Sequence, residues 1–465
     1  MNEQEYLELG RIIVDYPLDI QVVKELHIGE NANEHGNLSL RVVSKQLVSE
    51  EDVVRLSDTP ICILTDEGGI VFAGVTTSVR VHRLNQYNEV TLEAVSTSIK
   101  TDIEKHSRTF QDPSKMLSQV FQEVLAPYGV DLQLQRDMQI PQMLSQQDET
   151  DWCFVRRIAN QFGMLIFTDS KALDIRISIG VVPFSQKTLP SNADLSWVEK
   201  DVANYWKVKQ NIASQASAYE FLKKGFNVAE LTIGVGHVAA TSGRALVITQ
   251  STITAIQGLL INRVLLTYID GAYPPVSTLS NIPHGPEREG VTGQAPATPL
   301  QPSNRPTGPS IVVGEVLDVS GNDIQVLFNV DGPGAGVRWI PYCSFLNNDF
   351  YCMPDVGDTV FCYYENEGSV VCLGSKHINT TRTDFANPEE KVMTANNRMI
   401  KLKREGIDIS ANRRNTDGLE SDQVKIILSD KTGIEISAAK EIKIYADKNI
   451  VIQANDLEAV QEQPL

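Results

Sequence analysis

The stretch IILSDKTGIEISAAKEIKIYADKNIVI, residues 426–452, repeats itself every eight residues. Four apolar pairs carry the repeat: Ile426/Leu428, Ile434/Ile436, Ile442/Ile444 and Ile450/Ile452. Ala438, Ala446 and Ala454 form a second column with the same step. A period this regular marks an architecture before it marks any local element. Within each unit the apolar residues stand two apart, so they share one face of an extended strand. Ile427, Glu435, Lys443 and Val451 fall on the other face, and Ser, Lys, Asp, Asn and Gly fill the corners. Ordering eight residues costs more conformational entropy than two aliphatic side chains return on burial. A lone ribbon of this kind also leaves its strand edges open. If three chains wind together, the edges pair between chains and the eight residues form a closed aliphatic interior. A single-chain β-solenoid or an amphipathic sheet covering another domain are the alternatives that spacing leaves open.

Working back toward the N-terminus, strands dominate. Residues 311–375 hold four β-rich runs around Ile311, Ile324, Thr359 and Ser369, which fit a five-stranded barrel of the OB type. Upstream, Pro283, Pro286, Pro296, Pro299, Pro302, Pro306 and Pro309 crowd a stretch poor in large apolar residues, which reads as a linker over 281–310. Residues 1–100 read as an antiparallel barrel, with a tight hairpin at Asp66-Glu67-Gly68-Gly69. Two helices are expected near 112–127 and 151–163. The first is capped by Asp112 with Pro113 in its first turn, and the second ends at Gly163. A short helix is expected near Ser214 to Lys224.

The 465 residues exceed one compact core, and the composition, 42% hydrophobic and 22% charged, is that of a globular protein. A formal charge of −18 opposes phosphate backbones, so no nucleic-acid partner is expected. The acidic start lacks the features of a secretory signal, and no stretch is apolar enough to span a bilayer, which predicts assembly in the cytoplasm. The six cysteines form no Cys-x-x-Cys pair, and the seven histidines are scattered, so no metal site is expected. Cys343, Cys352, Cys362 and Cys372 read as thiols packed in one small β-domain. Glu149 and Asp151 are the only carboxylates that suggest glycoside cleavage, and their place at a helix start favours capping and dipole complementarity. The glycines at Gly332-Pro333-Gly334-Ala335-Gly336 and Gly234-Val235-Gly236 read as turns, because no phosphate-loop Lys-Ser/Thr follows them. No catalytic residue and no cofactor is expected.

The order of parts resembles the VgrG and phage baseplate hub–spike family of contractile injection systems. Residues 148–163, DETDWCFVRRIANQFG, are similar to the hub helix of that family. Met353-Pro354-Asp355-Val356-Gly357-Asp358, leading to Val370–Ser375, looks like the end of its OB domain, and Asp430–Ser437 resembles the opening of its needle. The resemblance implies a mainly β fold with a few helices: a hub of two β-barrels over 1–280, the linker 281–310, an OB barrel over 311–376, and a linker plus intertwined trimeric β-helix over 377–465. It implies a non-enzymatic homotrimer joining the inner tube to a membrane-puncturing tip. Inner tube proteins, baseplate wedge proteins, a tip protein of the PAAR type and effector cargo are the implied partners. The last histidine is His377, so the tail offers no His-x-His tip site for iron, and a separate cap is expected. A tail-associated cell-wall hydrolase and a β-solenoid surface adhesin are the competing readings.

Overall fold

The computed structural model describes residues 5–45, 48–83, 87–140, 143–162, 164–180, 182, 194–200, 222–241, 244–268, 310–332, 334–343, 352–366, 369–376, 387, 389–395, 398–414, 420–453 and 455. The chain divides into two compact units, Met1–Lys376 and His377–Leu465. Mainly β architecture runs through both.

The first unit is organised by an 11-stranded sheet. Its N-terminal strands alternate inward and outward side chains. In Asn37–Ser44 and Asn88–Ser96 the register sets Leu38 opposite Ala94, Leu40 opposite Leu92, and Val42 opposite Val90, and all six are buried. Strict alternation puts every second side chain on one face, which is why these rows meet in a single core. The Asp66–Gly69 hairpin forms as expected, with Thr65 N–H donating to Gly69 O at 2.9 Å and Gly68 at φ 84°. Residues from the middle of the chain complete the same sheet. Arg244–Ile256 pairs with Ile20–Asn31, from Gln250 opposite Asn31 to Thr254 opposite His27. A second core, including Val228, Leu246, Ile248 and Leu266, packs around this later half.

A buried ion pair ties the strand Ile20–Asn31 to the loop that follows Ile166–Thr168. Glu30, at the end of Ile20–Asn31, lies 3.3 Å from Lys171 Nζ, and both side chains are almost fully buried. Glu30 also accepts from the Ser170 hydroxyl and from Val235 N–H at 3.4 Å. Lys171 donates to Val71 O at 3.1 Å. A Cβ on Gly234 would meet Glu30 Oε2 at 2.5 Å and Lys171 Cε at 2.6 Å, so the loop closes over this pair only with glycine there.

Three α-helices lie among the described residues of this unit. Helix α1, Glu50–Leu56, was not anticipated. Ser49 accepts from Asp52 N–H at 3.1 Å while Asp52 accepts from Ser49 N–H at 3.0 Å, the reciprocal capping box of a helix start. Helix α2, Leu117–Leu125, begins later than the expected 112. Asp112 spends its carboxylate on Ser114 N–H and Oγ at 2.9 and 2.7 Å, a local turn. That turn keeps residues 112–114 out of the helix, and the start passes to Met116, whose N–H donates to Gln119 Oε1 at 2.8 Å. Helix α3, Asp151–Gln161, starts where expected, capped by Thr150, whose hydroxyl accepts from Cys153 N–H at 3.2 Å. Phe121, Trp152, Phe154 and Ile158 pack between α2 and α3. Of the helix expected near 214–224, residues 214–221 lie outside the described residues. Leu222–Lys224 belong instead to a strand, Leu222–Val228, paired with Leu259–Tyr268. There the sheet partner overrides local propensity. Gly163 and Ala454 also lie outside the described residues, as does the proline-rich segment up to 309.

Five strands, Ser310–Ser320, Asp323–Phe328, Trp339–Pro341, Thr359–Asn366 and Ser369–Ser375, make a separate antiparallel sheet. Its ends meet where Tyr342 bridges Cys372 and Cys343 N–H donates to Cys372 O at 2.8 Å. Val316, Ile324, Val326, Phe328 and Val360 fill the interior, with Met143 inserted from the helical layer. Asp331 anchors this sheet to the strand Lys105–Phe110, accepting from Thr109 N–H at 2.6 Å, from the Thr109 hydroxyl, and from Gln111 Nε2 at 3.3 Å. Arg338 Nε donates to Gln111 O at 3.1 Å beside it. Thr109 is buried, so replacing Asp331 with Ala orphans its N–H and hydroxyl, while Gln111 Nε2 keeps Val326 O. At ~1–3 kcal/mol for each orphaned donor, Asp331→Ala is expected to lower the urea midpoint measurably, whereas Asp318→Ala at an exposed position of the strand Ser310–Ser320 leaves it unchanged.

Candidate assembly surface

The second unit is built on a five-stranded antiparallel meander: Lys391–Ala395, Arg398–Lys403, Gly406–Arg414, Glu420–Ser429 and Gly433–Ala438. The register places its apolar residues in transverse rows. One row runs Met393, Ile400, Ile409, Ile426, Ile436 through successive partners. The next runs Leu402, Ile407, Leu428, Ile434. A third adds Ala411, Val424 and Ala438. Residues paired across strands point the same way, so these rows form one apolar face.

The opposite face is mostly polar. Lys401, Asp408, Ile427 and Glu435 stand in one row across it, and Lys425 and Ser437 in another. Lys401 pairs with Glu390 at 2.7 Å, and Lys403 pairs with Asp408. Hydrogen bonding to Lys401, ahead of the opposing effect of desolvation, holds the Glu390 carboxyl below the usual carboxylate range.

Two glycines shape the turns. Gly433 sits at φ 83°, closing the turn from Ser429 in a conformation that side chains resist. A Cβ on Gly406 would meet Leu428 O at 2.0 Å, so that hairpin needs bare backbone.

Among the described residues of the second unit, none covers the apolar face within one chain. Ile434 is 72% exposed and Ile436 54%, and Met393, Ile400, Leu402 and Val424 are exposed as well. Of the eight expected core residues, the structure brings Ile426, Leu428, Ile434 and Ile436 into adjacent rows. Ile442, Ile444, Ile450 and Ile452 follow the last strand without a strand partner among the described residues, and all four are exposed. Sequence reading missed the upstream contribution of Met393, Ile400, Leu402, Ile407, Ile409 and Val424. Its signal was present: Ile400/Leu402 and Ile407/Ile409 are the same two-apart pairs, with a step of seven in place of eight.

The carboxylates considered for hydrolysis are engaged elsewhere. Asp151 does not cap α3, a role that Thr150 fills. Its carboxylate, 1% exposed, accepts from Arg108, from Gln146 Nε2 at 2.8 Å and from Tyr128 OH at 2.9 Å, with His106 Nδ1 at 3.1 Å. Burial, reinforced by the Asp151 hydrogen bond, pushes Tyr128 up to about 12. Glu149 is clamped by Arg157, with Nε at 3.3 Å. Ser98, His35 and Asp102 form another polar chain, Ser98 Oγ to His35 Nδ1 at 2.8 Å and His35 Nε2 to Asp102 at 3.5 Å. Ser98 is 3% exposed and His35 stacks on Trp152 at 4.3 Å, so the hydroxyl is sealed from any substrate. Gly334 at φ 87° and the contact of Gly336 with Asp112 mark the 332–336 glycines as a tight loop against the helical layer. Among the described residues no cluster of His, Cys, Asp or Glu has metal-holding geometry, and no helix is long and apolar enough to cross a membrane.

Comparison with known proteins places this architecture. A family model described as the Alg8 N-terminal domain matches residues 65–182, well under half of the chain. No curated protein matches the sequence. Among solved structures, the E. coli c3393 protein superposes with a TM-score of 0.52 at 12% identity, covering 78% of this chain and 99% of its own. It is described as a component of the type VI secretion system with structural similarity to the T4 bacteriophage tail proteins gp27 and gp5. The half-lidded Francisella PdpA–VgrG complex gives 0.52 at 10% identity over 90% of this chain and 83% of that one. The lidless PdpA–VgrG complex gives 0.50 at 11% identity, over 90% and 93%. At such identities it is the backbone that is shared, and it is shared over most of the length. The chain has the fold of the VgrG-like and phage-tail hub proteins.

Proposed function

We propose that this chain is the structural central hub–spike of a contractile injection apparatus, a homotrimer that links the inner tube to a puncturing tip and helps it penetrate a target envelope. The observation that carries this reading is the one-sided apolar sheet of the second unit, in a chain whose fold is that of secretion and tail hubs. A face this apolar, bare in one chain, marks an interaction surface. Three copies that turn it inward exclude it from water and give the residues after Ala438 strand edges to pair with. Ile426, Leu428, Ile434, Ile436, Ile442, Ile444, Ile450 and Ile452 then line a common needle interior, beyond the hub of residues 1–280 and the OB-type domain of 311–376.

The work of such a part is mechanical: contraction drives the tube, and a narrow, stiff needle concentrates the force. Inner tube and baseplate wedge proteins contact the hub, a PAAR-type protein caps the needle, and effector cargo travels with it. The engaged Glu149 and Asp151 support a non-enzymatic role over a wall hydrolase. Mass measurement of the purified full chain tests the reading. The expected species is three times the 51.4 kDa chain, and a stable monomer at micromolar concentration rejects it.

A further inference from the structure

Cys362 and Cys372 stand directly opposite one another in the hairpin formed by Thr359–Asn366 and Ser369–Ser375. Both are fully buried and neither is bonded to another sulfur. Opposed residues of an antiparallel pair have Cα atoms about 4.5 or 5.5 Å apart, depending on the pair type. Disulfides accept Cα separations of about 4.4–6.8 Å, so either type permits closure without moving the backbone. The two side chains meet across the hairpin and influence each other's ionisation. That contact pushes the Cys362 thiol up and brings the Cys372 thiol down, making Cys372 the first to ionise. Cys372 Sγ also lies 3.8 Å from Gly374 O.

Their position gives the pair leverage. Ser369–Ser375 is the last strand in the sheet order, and Cys372 is the residue that closes the sheet onto Tyr342 and Cys343. A closing strand held on its far side, among the described residues, by one bridge and one backbone bond opens locally more readily than the core strands. Such opening exposes the pair to a reagent from solution.

We propose that Cys362 and Cys372 are a redox-active dithiol that closes to an intrachain disulfide by exchange with a small-molecule disulfide of the glutathione class, pinning the strand that seals the sheet. The Cys372 thiolate attacks one sulfur of the reagent, and the displaced thiolate takes up a proton. Cys362 then loses its proton and attacks the Cys372 sulfur of the mixed disulfide, releasing the second thiol. Two protein thiols are oxidised and one reagent disulfide is reduced to two thiols, with no other electron acceptor. The inference is independent of the proposed function.

The full chain, reduced with dithiothreitol and freed of it, is incubated with oxidised glutathione, unfolded, alkylated with iodoacetamide and weighed. Six alkyl groups are expected before oxidation and four after it, with peptide mapping placing the link at Cys362–Cys372. The melting midpoint of the oxidised protein should rise by about 4 °C and fall back on reduction. Cys362→Val, which keeps an apolar side chain in the core, should abolish the link while keeping its circular dichroism spectrum. Should it fail to fold, the wild-type peptide map decides alone. Six alkyl groups under all conditions, or protection confined to the exposed Cys343 and Cys352, overturns the proposal.

Discussion

Ile426→Asp combined with Ile436→Asp is expected to leave the chain folded in its first unit and unable to assemble. The two residues are cross-strand partners at the C-terminal end of the longest apolar row. In a closed interior each aspartate is removed from water beside aliphatic side chains, at an effective cost of several kcal/mol per ion. Symmetry repeats that cost in every copy. About 4 kcal/mol already weakens association a thousandfold, so a species that is trimeric at micromolar concentration should run as monomer. Ile442→Asp with Ile444→Asp should act the same way, through residues that have no strand partner among the described residues of their own chain. Ile427→Thr changes the opposite face of the same strand and should leave the mass unaltered. If the Ile426/Ile436 variant keeps its assembled mass, the apolar rows do not face the interior.

These variants also show how far the sequence carried. The octad was legible because apolar residues two apart, repeated at a fixed step, have one simple meaning in a strand. Reading stopped at Ile426 because upstream pairs recur at seven, Gly406 sets a tighter hairpin, and the long Arg414-to-Glu420 connection breaks the period. Helix α3 was legible from its apolar face. Helix α1 carried only seven residues and a capping box, too short for periodicity to register. Helix α2 began late because Asp112 had two uses, and the side chain chose its local turn over the helix. The composition of the small five-stranded sheet was readable from its β-branched runs, but its anchoring through Asp331 joins residues 222 apart in sequence, which no local pattern encodes. The Glu30–Lys171 pair is the extreme case. Neither residue sits in a motif, and only the fold brings them together.

That pair therefore makes the sharper test of the hub. Lys171→Met should destabilise the first unit by about 3–5 kcal/mol, because it strips the countercharge from a carboxylate that stays buried. Glu30→Leu should cost a similar amount, leaving the ammonium without its countercharge and Ser170 Oγ and Val235 N–H without their acceptor. The double variant should cost less than the sum of the two, since removing both charges abolishes the desolvation penalty along with the attraction. Gly234→Ala provides an independent probe, because its Cβ collides with both members of the pair and acts without changing any charge. Denaturant midpoints of the full chain, followed by hydrogen exchange of the strand Ile20–Asn31, separate the outcomes. Strict additivity of the two single variants would mean that Glu30 and Lys171 act independently and that the ion pair contributes nothing beyond the separate burial of its members.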